Sequence, residues 1–387
     1  MSESARRSVL VVLGTRPEVI KLAPVVRALQ ARPGVSCMVC STSQHDQLLR
    51  QALAAMELEV DVELEPAAPG RQLAGLTAHL VSSLDALLAD REPDWVVVQG
   101  DTTSAFAGAL GAFYRRVPVA HVEAGLRSGD RWAPFPEEVN RRAIALVADL
   151  HFAPTPRSAA NLRAEGVPDA AIEVTGNTGI DALEWARPRV RARTPAAVPA
   201  GLPAALEGRR LVLVTGHRRE SFGPGLRSIC QALAELAERF EDVVVVYPLH
   251  LNPEVEVPVR ALLGGRPRLV LLGPLGYLAM VWLLERAHLV LTDSGGIQEE
   301  APSFGVPLVI LRETTERPEV VEAGGAVVVG TDRRRIAGVA AELLSSEAAH
   351  QALRLEANPF GDGNAAGRIA ATLCGGESGA WRVGPVR

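Results

Sequence analysis

The chain has 387 residues, of which 48% are hydrophobic and 22% are charged, and its formal net charge is −5. This length exceeds what one hydrophobic core usually serves, so two domains are expected. The acidic balance offers no positive field to a nucleic-acid backbone, which argues against nucleic-acid binding. No apolar run reaches the roughly eighteen residues that span a bilayer, and the N-terminal sequence MSESARRS shows no signal-peptide pattern. The expected location is the cytoplasm.

Short β-rich apolar runs alternate with Ala-, Leu- and Arg-rich helical stretches over nearly the whole chain. In chain order, the predicted strands are SVLVVL, VSCMVC, DWVVVQG, VPVAHVE, LHFAP, AIEVTG, RLVLVTG, VVVVYPL, RLVLLG, HLVLTD, PLVIL and AVVVG. Continuous Val and Leu runs separated by helices are typical of parallel strands that are buried on both faces. The pattern predicts a doubly wound α/β architecture.

A break near the middle divides this series into two similar halves. The first half ends with the strand that reaches Thr175, and a segment rich in Pro, Arg and Ala follows from Pro188 to Pro203. A fresh series of strands and helices begins at Leu211. Because ligands of open α/β sheets bind beyond the carboxyl ends of the strands, the two sheets predict a cleft lined by residues that directly follow strands.

The four cysteines do not predict a metal or redox site. Cys37 and Cys40 are three residues apart within a predicted strand, so their side chains point to opposite faces of the sheet. No second Cys or His pair follows at zinc-finger spacing. We expect buried, reduced cysteines with a structural role.

Lys21, in the run GTRPEVIK after the first strand, is the single lysine among forty basic residues. A lysine supplies a compact, strongly hydrated point charge, whereas arginine supplies a planar fork. A chance remnant of a biased composition is one interpretation, but the neighbouring residues of the run favour a functional one.

The run HLVLTDSGGIQEEAPSFGVP predicts a ligand-binding turn in the second half of the chain. Ser294, Gly295 and Gly296 follow a strand and open a helix, where the glycines permit close approach and free N–H groups favour an anion. Glu300, one turn into the helix, suits sugar hydroxyls, and Arg317 after the next strand suits a phosphate. Alternatively, the glycines form a plain tight turn and Glu300 is a helix-dipole partner. The strand context favours ligand binding.

His217 lies in another loop that follows a strand, TGHRRES, among basic neighbours that suit contact with a diphosphate. A lone histidine is as often structural, so this loop alone leaves both interpretations open.

Three carboxylates of the first half follow strands or lie in loops: Asp101 after WVVVQG, Glu123 after VAHV and Glu137 in PFPEEVNRR. We expect them to converge on the predicted cleft, although Asp101 is also a plausible helix N-cap and any of them could be a solvated surface charge. Positive charge around them comes from Arg16, Lys21, Arg127 and Arg141. Several acids and bases, a phosphate-binding turn and no metal motif favour acid/base chemistry on an anionic nucleotide sugar.

Motifs from about Gly14 to Gly363 resemble, in order, those of the non-hydrolysing UDP-N-acetylglucosamine 2-epimerases. They are GTRPEVIK, QGDTTS, HVEAGLRSGD, PFPEEVNRR, TGNTGIDAL, TGHRRES, YPLHLNP, TDSGGIQEEAPSFGVP, ETTERPE and NPFGDG. The resemblance implies the glycosyltransferase-B fold, in which two Rossmann-like domains face a cleft, and a homodimer. It implies an N-terminal domain of residues 1–176 plus 365–387 with the acid/base residues, since the last helix returns to it. Residues 177–364 would form a C-terminal domain that binds UDP.

The implied reaction interconverts UDP-N-acetylglucosamine and UDP-N-acetylmannosamine without an oxidising cofactor or a metal ion. UDP is eliminated to give bound 2-acetamidoglucal and is added back with C2 inverted. The C2 proton is not next to a carbonyl, but breaking the C1–O bond gives an oxocarbenium-like centre that acidifies it. The resemblance implies catalytic roles for Asp101, Glu123, Glu137 and His217. It implies substrate binding by Arg16, Lys21, Arg141, Met280, Ser294, Gly295, Gly296, Glu300 and Arg317, with Met280 near the uracil pocket where several relatives have an aromatic residue.

Four polar residues resemble the set that binds a second, regulatory UDP-N-acetylglucosamine in some bacterial members of the family. They are Gln44, His45, Gln47 and Arg71. Ordinary polar surface is the alternative interpretation.

Other functions stay open on the sequence alone. They are a hydrolysing 2-epimerase, an epimerase for a related UDP-2-acetamido sugar, a retaining glycosyltransferase on the same fold and a catalytically silent nucleotide-sugar sensor. The presence of all three carboxylates disfavours the sensor. No nucleic-acid or membrane partner is expected.

Overall fold

The computed structural model describes residues 7–42, 47–66, 72–216, 218, 222–376, 379 and 381. The chain divides into two compact units. The first takes in the chain up to Trp185 and the segment Phe360–Val383, and the second includes Ala186–Pro359.

The first unit is built, within the described ranges, on a seven-stranded parallel sheet in the order β3-β2-β1-β4-β5-β6-β7. Its strands are β1 (Arg7–Leu13), β2 (Val35–Ser41), β3 (Val62–Glu63), β4 (Trp95–Gln99), β5 (Val119–Val122), β6 (Leu150–Ala153) and β7 (Ile172–Val174). Its helices are α1 (Arg16–Gln30), α2 (Gln47–Ala55), α3 (Leu73–Arg91), α4 (Thr103–Tyr114), α5 (Glu137–Val147), α6 (Pro156–Ala164), the first part of α7 (Thr178–Ala192) and α16 (Ala365–Leu373). Residues Val9 to Leu13 of β1 are at most 1% exposed, so side chains on both faces of this strand are buried.

The second unit repeats this plan on a six-stranded parallel sheet, again counted over the described residues, in the order β10-β9-β8-β11-β12-β13. Its strands are β8 (Arg210–Thr215), β9 (Val243–Pro248), β10 (Leu269–Leu272), β11 (Ala287–Thr292), β12 (Leu308–Ile310) and β13 (Ala326–Val328). Its helices are α8 (Leu202–Leu206), α9 (Pro224–Arg239), α10 (Pro253–Leu263), α11 (Tyr277–Leu284), α12 (Gly295–Glu300), α13 (Pro318–Glu322), α14 (Arg333–Ser345) and α15 (Glu347–Ala352).

Each sheet reverses its direction of winding at one point. The reversal lies between β1 and β4 in the first unit and between β8 and β11 in the second. The doubly wound α/β architecture predicted from the Val and Leu runs is thereby confirmed. Loops at the carboxyl ends of these four strands are where such a sheet binds its ligands, because neighbouring connections leave on opposite faces and open a crevice between them.

The chain passes from one unit to the other at positions that differ from the expected domain boundaries, 176/177 and 364/365. The Asn177 N–H donates to the Phe360 carbonyl at 2.8 Å. The Asp181 carboxylate accepts the N–H groups of Ala365 at 3.2 Å and Ala366 at 2.8 Å. These bonds hold the start of α7 and the segment before α16 in the first unit, so the chain divides at Trp185 and Phe360 instead.

The four cysteines lie within the described ranges and are free thiols; Cys40 and Cys230 are buried, whereas Cys37 and Cys374 are half-buried. No helix in the described part of the chain has both the length and the apolar character to cross a membrane. Among the same residues, no three His, Cys, Asp or Glu side chains are grouped so that they could hold a metal ion.

Candidate active site

Three segments of the first unit meet tightly at the carboxyl end of β1. A Cβ atom built on Gly14 would lie 2.2 Å from both Ser104 Oγ and Thr42 Oγ1. These two hydroxyl oxygens are themselves 2.6 Å apart. Any side chain at position 14 would therefore force the loop after β1 away from the start of α4, and glycine is required for this approach.

Asp101 lies in the turn between β4 and α4, and three groups fix the turn around it. Its carboxylate accepts a hydrogen bond from Arg141 Nη2. Its main-chain carbonyl accepts one from Asn140 Nδ2 at 2.9 Å. The N-cap of α4 is Thr102, whose side chain accepts the Ala105 N–H at 3.0 Å. The alternative interpretation of Asp101 as the cap is therefore wrong, and its carboxylate is committed to Arg141.

Glu123 directly follows β5 and contacts two side chains through one oxygen. Lys21 Nζ lies 2.6 Å from Glu123 Oε2, with the two side chains 16% and 8% exposed. Gln99 Nε2 donates to the same oxygen at 2.5 Å. Glu123 has a φ of +62°, in the left-handed region that non-glycine residues rarely adopt. The single lysine of the chain thus lies against one of the three predicted carboxylates.

The ends of β4 and β5 bring these two groups to the same edge of the sheet. The Gly100 N–H donates to the Val122 carbonyl at 3.0 Å, so Asp101 and Glu123 follow neighbouring, hydrogen-bonded strand ends. Arg16, the first residue of α1, follows β1 at this edge and is half-buried.

Adjacent carboxylates at the start of α5 have different environments. Glu137 is half-buried, whereas Glu138 is fully buried. Glu138 accepts the Ser128 N–H at 3.0 Å and Arg142 Nε at 3.0 Å, and its Oε2 lies 3.4 Å from Arg141 Nη1. Glu138 therefore orients the arginine that contacts Asp101, while Glu137 stays outside that network.

Glu18 is a second buried carboxylate behind the site. It accepts the Gly14 N–H at 3.0 Å and the Thr102 hydroxyl at 2.7 Å, which joins the loop after β1 to the Asp101 turn. Burial raises the pKa of Glu18, and the hydrogen bonds from Thr102 and Gly14 oppose this rise.

In the second unit, the turn after β11 is closed by a local hydrogen bond and lies close to Arg317. The Ser294 N–H donates to Thr292 Oγ1 at 2.9 Å, and Ser294 is the N-cap residue of α12. A Cβ atom on Gly295 would lie 3.6 Å from Arg317 Cζ, so the guanidinium lies over the start of this helix. Gly296 follows in an open position, where a Cβ atom would have no atom within 4 Å.

Arg317 contacts Glu299, the neighbour of the predicted Glu300. Arg317 Nε donates to Glu299 Oε1 at 2.5 Å, and the Arg317 N–H donates to Thr315 Oγ1 at 3.0 Å. The Thr315 hydroxyl in turn donates to Gln298 Oε1 at 2.5 Å. Glu300, the last residue of α12, is half-buried.

The loop after β8 is tied to the loop after β11 at the second winding reversal. Thr215 and Thr292 share a hydroxyl–hydroxyl hydrogen bond of 2.6 Å. The Arg218 N–H donates to Asp293 Oδ2 at 2.9 Å, and the Tyr247 hydroxyl donates to the Gly216 carbonyl at 2.9 Å. Burial raises the pKa of Tyr247, so this hydroxyl stays a donor.

The remaining predicted residues lie on another helix of the second unit or outside the described residues. Met280 is a half-buried residue of α11, the helix that follows β10. His217, Gln44, His45 and Arg71 lie outside the described residues, as does the side chain of Gln47.

Eight residues that were not predicted from the sequence hold the predicted residues and their loops in place. They are Glu18, Gln99, Asn140 and Glu138 in the first unit and Glu299, Gln298, Thr315 and Tyr247 in the second. Each lies inside one of the motifs quoted for the family resemblance. The doubled acids in PFPEEVNRR and GGIQEE were the available signal, since a helix can turn only one of two adjacent side chains inward.

Two Rossmann-type units, each with polar loops at its winding reversal, define a two-domain α/β protein of the glycosyltransferase-B class. The family model described as UDP-N-acetylglucosamine 2-epimerase matches residues 27–374, and the chain belongs to this family.

Relatives in bacteria and archaea resemble the chain over nearly their full length. The UDP-N-acetylglucosamine 2-epimerase of Salmonella typhimurium is 49% identical over 367 residues, which cover 94% of this chain and 98% of that protein. The crystal structure of the Neisseria meningitidis UDP-GlcNAc 2-epimerase bound to UDP-GlcNAc has a TM-score of 0.86 and 40% identity, covering 95% of this chain and 100% of that one. The Methanocaldococcus jannaschii UDP-GlcNAc 2-epimerase in complex with UDP-GlcNAc and UDP has a TM-score of 0.78 and 32% identity, with coverages of 95% and 100%.

Proposed function

We propose that this chain is a non-hydrolysing UDP-N-acetylglucosamine 2-epimerase, which interconverts UDP-N-acetylglucosamine and UDP-N-acetylmannosamine. Membership of the family and the printed activity of the Salmonella relative support the reaction. The ligands of the Neisseria and Methanocaldococcus structures support a UDP-sugar substrate.

The observation that carries the proposal is the arrangement at the ends of β4 and β5. Asp101 and Glu123 follow adjacent strands, and each contacts a cation, Arg141 and Lys21 respectively. Fixed carboxylates can accept and return a proton, and their negative charge stabilises an oxocarbenium-like centre. Both capabilities are required when the bond between C1 and the diphosphate oxygen breaks before C2 loses its proton.

The proposed route is an elimination followed by an addition. UDP leaves C1 with the bonding electron pair, a carboxylate takes the C2 proton, and the C1–C2 double bond of 2-acetamidoglucal forms. UDP then adds back to C1, and a proton reaches C2 on the opposite face. We assign the acid/base work to Asp101, Glu123 and Glu137. We assign UDP and sugar binding to Arg16, Lys21, Arg141, His217, Met280, Ser294, Gly295, Gly296, Glu300 and Arg317, with His217 also acting on the departing diphosphate.

Incubation with UDP-N-acetylglucosamine alone, followed by proton and phosphorus NMR, tests this function. We expect a UDP-N-acetylmannosamine signal that grows until equilibrium is reached. Free UDP is not expected to accumulate, because the eliminated UDP stays bound until it is added back. Steady release of UDP with free N-acetylmannosamine would identify a hydrolysing epimerase instead. An unchanged substrate, with conversion appearing when a sugar acceptor is added, would identify a glycosyltransferase.

We also propose a homodimer that forms through exposed apolar side chains of the first unit. These side chains belong to α4, α5 and the loop before α5, and Trp132 and Phe135 stack there with ring centroids 5.7 Å apart. They are Phe113 (53% exposed), Tyr114 (63%), Trp132 (66%), Phe135 (58%) and Leu146 (85%). Helices α4 and α5 pack against each other, and large apolar groups exposed near one another are typical of protein–protein interfaces.

A regulatory role for a second UDP-N-acetylglucosamine, bound by Gln44, His45, Gln47 and Arg71, remains part of the proposal. If Arg71→Ala left the substrate saturation curve unchanged, this role would be excluded. The expected result is a shift of the curve to higher substrate concentration.

A further inference from the structure

His121 is a fully buried histidine on β5, two residues before Glu123. Its Nε2 lies 2.7 Å from the main-chain carbonyl oxygen of Gly100, the residue before Asp101. One side chain therefore links the strand that carries Glu123 to the turn that carries Asp101.

The chemistry of this contact fixes the state of the ring. A carbonyl oxygen can only accept, so Nε2 carries the hydrogen and donates it. Nδ1 is then unprotonated, and it is buried without a hydrogen-bond partner among the described residues. Burial lowers the pKa of His121 to about 3, with further lowering by His151, Arg127 and Arg141 against the opposing effect of the Gly100 hydrogen bond. The imidazole is therefore neutral near neutral pH and acts there as a hydrogen-bond donor.

Gly100 is held to β5 at two points: its N–H donates to the Val122 carbonyl at 3.0 Å, and its carbonyl accepts from His121. Gly100 has a φ of +70°, and no atom lies within 4 Å of where its Cβ would be. Asn140 holds the next carbonyl, that of Asp101, and Glu18 holds the Thr102 hydroxyl. Among the described side chains, His121 is the one that restrains the Gly100 carbonyl through a hydrogen bond.

We infer that His121 is a positioning residue that fixes the Asp101 turn relative to Glu123, so that both carboxylates meet the sugar ring at the separation the reaction needs. The inference rests on the proposed function, because it assigns the two carboxylates to one reaction. A misplacement of about 1 Å between reacting groups can lower a rate by about 10²-fold. A histidine that serves packing alone would show no such effect in the folded enzyme.

Substitutions at position 121 separate these roles. In His121→Gln the amide nitrogen reaches the place of Nε2 and can still donate, whereas His121→Leu removes the donor at similar volume. We expect His121→Leu to lower kcat by about 10²-fold with KM within about threefold, and His121→Gln to restore kcat to within about tenfold of the wild type. UDP affinity, measured by calorimetry, is expected to stay unchanged in both variants.

A neighbouring histidine provides the matched control. His151 on β6 lies opposite His121 in the strand register and is 2% exposed. His151→Leu removes another buried imidazole, one that makes no hydrogen bond to Gly100 within the described part of the chain, so it is expected to lower stability while the folded protein keeps its kcat.

The outcomes distinguish this inference from the proposed function. If the wild type does not epimerise UDP-N-acetylglucosamine, the proposed function fails and the inference fails with it. If the wild type is active and folded His121→Leu keeps its kcat, or loses no more than His151→Leu, the inference alone fails. Should His121→Leu not fold, His121→Asn, whose amide is one bond shorter than that of Gln, replaces it; equal kcat in the Asn and Gln variants would overturn the inference.

Discussion

Lys21 lies against Glu123 and close to Gly179. Its Nζ is 2.6 Å from Glu123 Oε2, and a Cβ atom built on Gly179 would lie 3.6 Å from Lys21 Cε. An ammonium group is a compact point charge, whereas a guanidinium is longer and planar, so an arginine would not reproduce this contact with Glu123 in its present place. This difference is a physical reason for a lysine here in a chain that otherwise uses arginine.

We expect Lys21→Arg to lower kcat by at least about tenfold although the charge is kept, because the carboxylate of Glu123 must move to accommodate it. The reverse exchange at an exposed pair, Arg260→Lys beside Glu256, is the control and should leave kcat unchanged. Steady-state kinetics check both variants. Full activity of Lys21→Arg would mean that position 21 needs only a positive charge.

Glu137 and Glu138 offer a test in which stability and activity separate. Glu138 is fully buried and contacts Ser128, buried Arg141 and half-exposed Arg142, so Glu138→Gln removes one of the two carboxylates of Arg141 and the carboxylate beside Arg142. Removing one partner of a fully buried ion pair costs about 3–5 kcal/mol, and the exposure of Arg142 and the second partner of Arg141 reduce this to about 1–3 kcal/mol. Chemical denaturation should show a loss of this order for Glu138→Gln and less than about 1 kcal/mol for half-buried Glu137→Gln. Activity should show the opposite order, with folded Glu137→Gln losing about 10²–10⁴-fold in kcat. A stable, fully active Glu138→Gln would show that Arg141 holds Asp101 without help.

Sequence reasoning could find Asp101 and Glu123 because the ends of parallel strands are visible as the ends of Val-rich runs. It could not find Glu18 or Glu138, because burial of a carboxylate depends on the phase of its helix and on donors from distant loops. The pairing of Arg317 with Glu299 was not predicted for the same reason, since one residue along a helix turns a side chain by about 100°.

The start of α16 is capped by another element. Asn364 precedes this helix but makes no side-chain cap hydrogen bond, and the N–H groups of Ala365 and Ala366 donate to Asp181 of α7. No local sequence signal could predict this contact, since its partners are more than 180 residues apart. It also explains why the sequence placed the boundary of the first unit too early, because α7 continues through the boundary as an uninterrupted helix.

Asp181 predicts a specific pH dependence of stability. Burial raises its pKa from 3.8 to about 6, against the effect of the two N–H donors. The folded state therefore binds the proton more tightly than the unfolded state, and the stability gained in this way is present below pH 3.8 and is lost as the pH rises through about 6. We expect the free energy of unfolding of Asp181→Asn to lack this fall between pH 4 and pH 6. The exposed control Asp90→Asn should keep the wild-type pH dependence, and a curve for Asp181→Asn parallel to the wild type would contradict the assignment.

At the scale of the whole molecule, the proposed homodimer gives a direct prediction. Leu146 on α5 is 85% exposed, and Leu146→Glu would place a charge in the proposed apolar interface. We expect this variant to sediment as a monomer at concentrations where the wild type is a dimer. Leu251 in the second unit is 63% exposed, and Leu251→Glu serves as the control that should stay dimeric. If both variants kept the wild-type sedimentation coefficient, the interface would lie elsewhere.

The overall architecture was accessible from the sequence because the alternation of buried strands and helices extends over the whole chain. The sequence predicted the doubly wound class of strand order but not the order itself. The structure adds the order, with its two winding reversals beside β1 and β8. The reaction was predicted from the family resemblance, and the structure adds the groups that hold Asp101 and Glu123 at the winding reversal of the first unit.

The central claim is that carboxylates of the first unit remove and return the C2 proton of a UDP-sugar. Its most direct measurement is the rate of deuterium incorporation at C2 when UDP-N-acetylglucosamine is incubated with the enzyme in deuterium oxide. We predict that the wild type and Asp90→Asn incorporate deuterium as they epimerise, and that Asp101→Asn and Glu123→Gln do so at least about 10²-fold more slowly. Epimerisation without deuterium at C2, or exchange at the wild-type rate in both carboxylate variants, would contradict the claim.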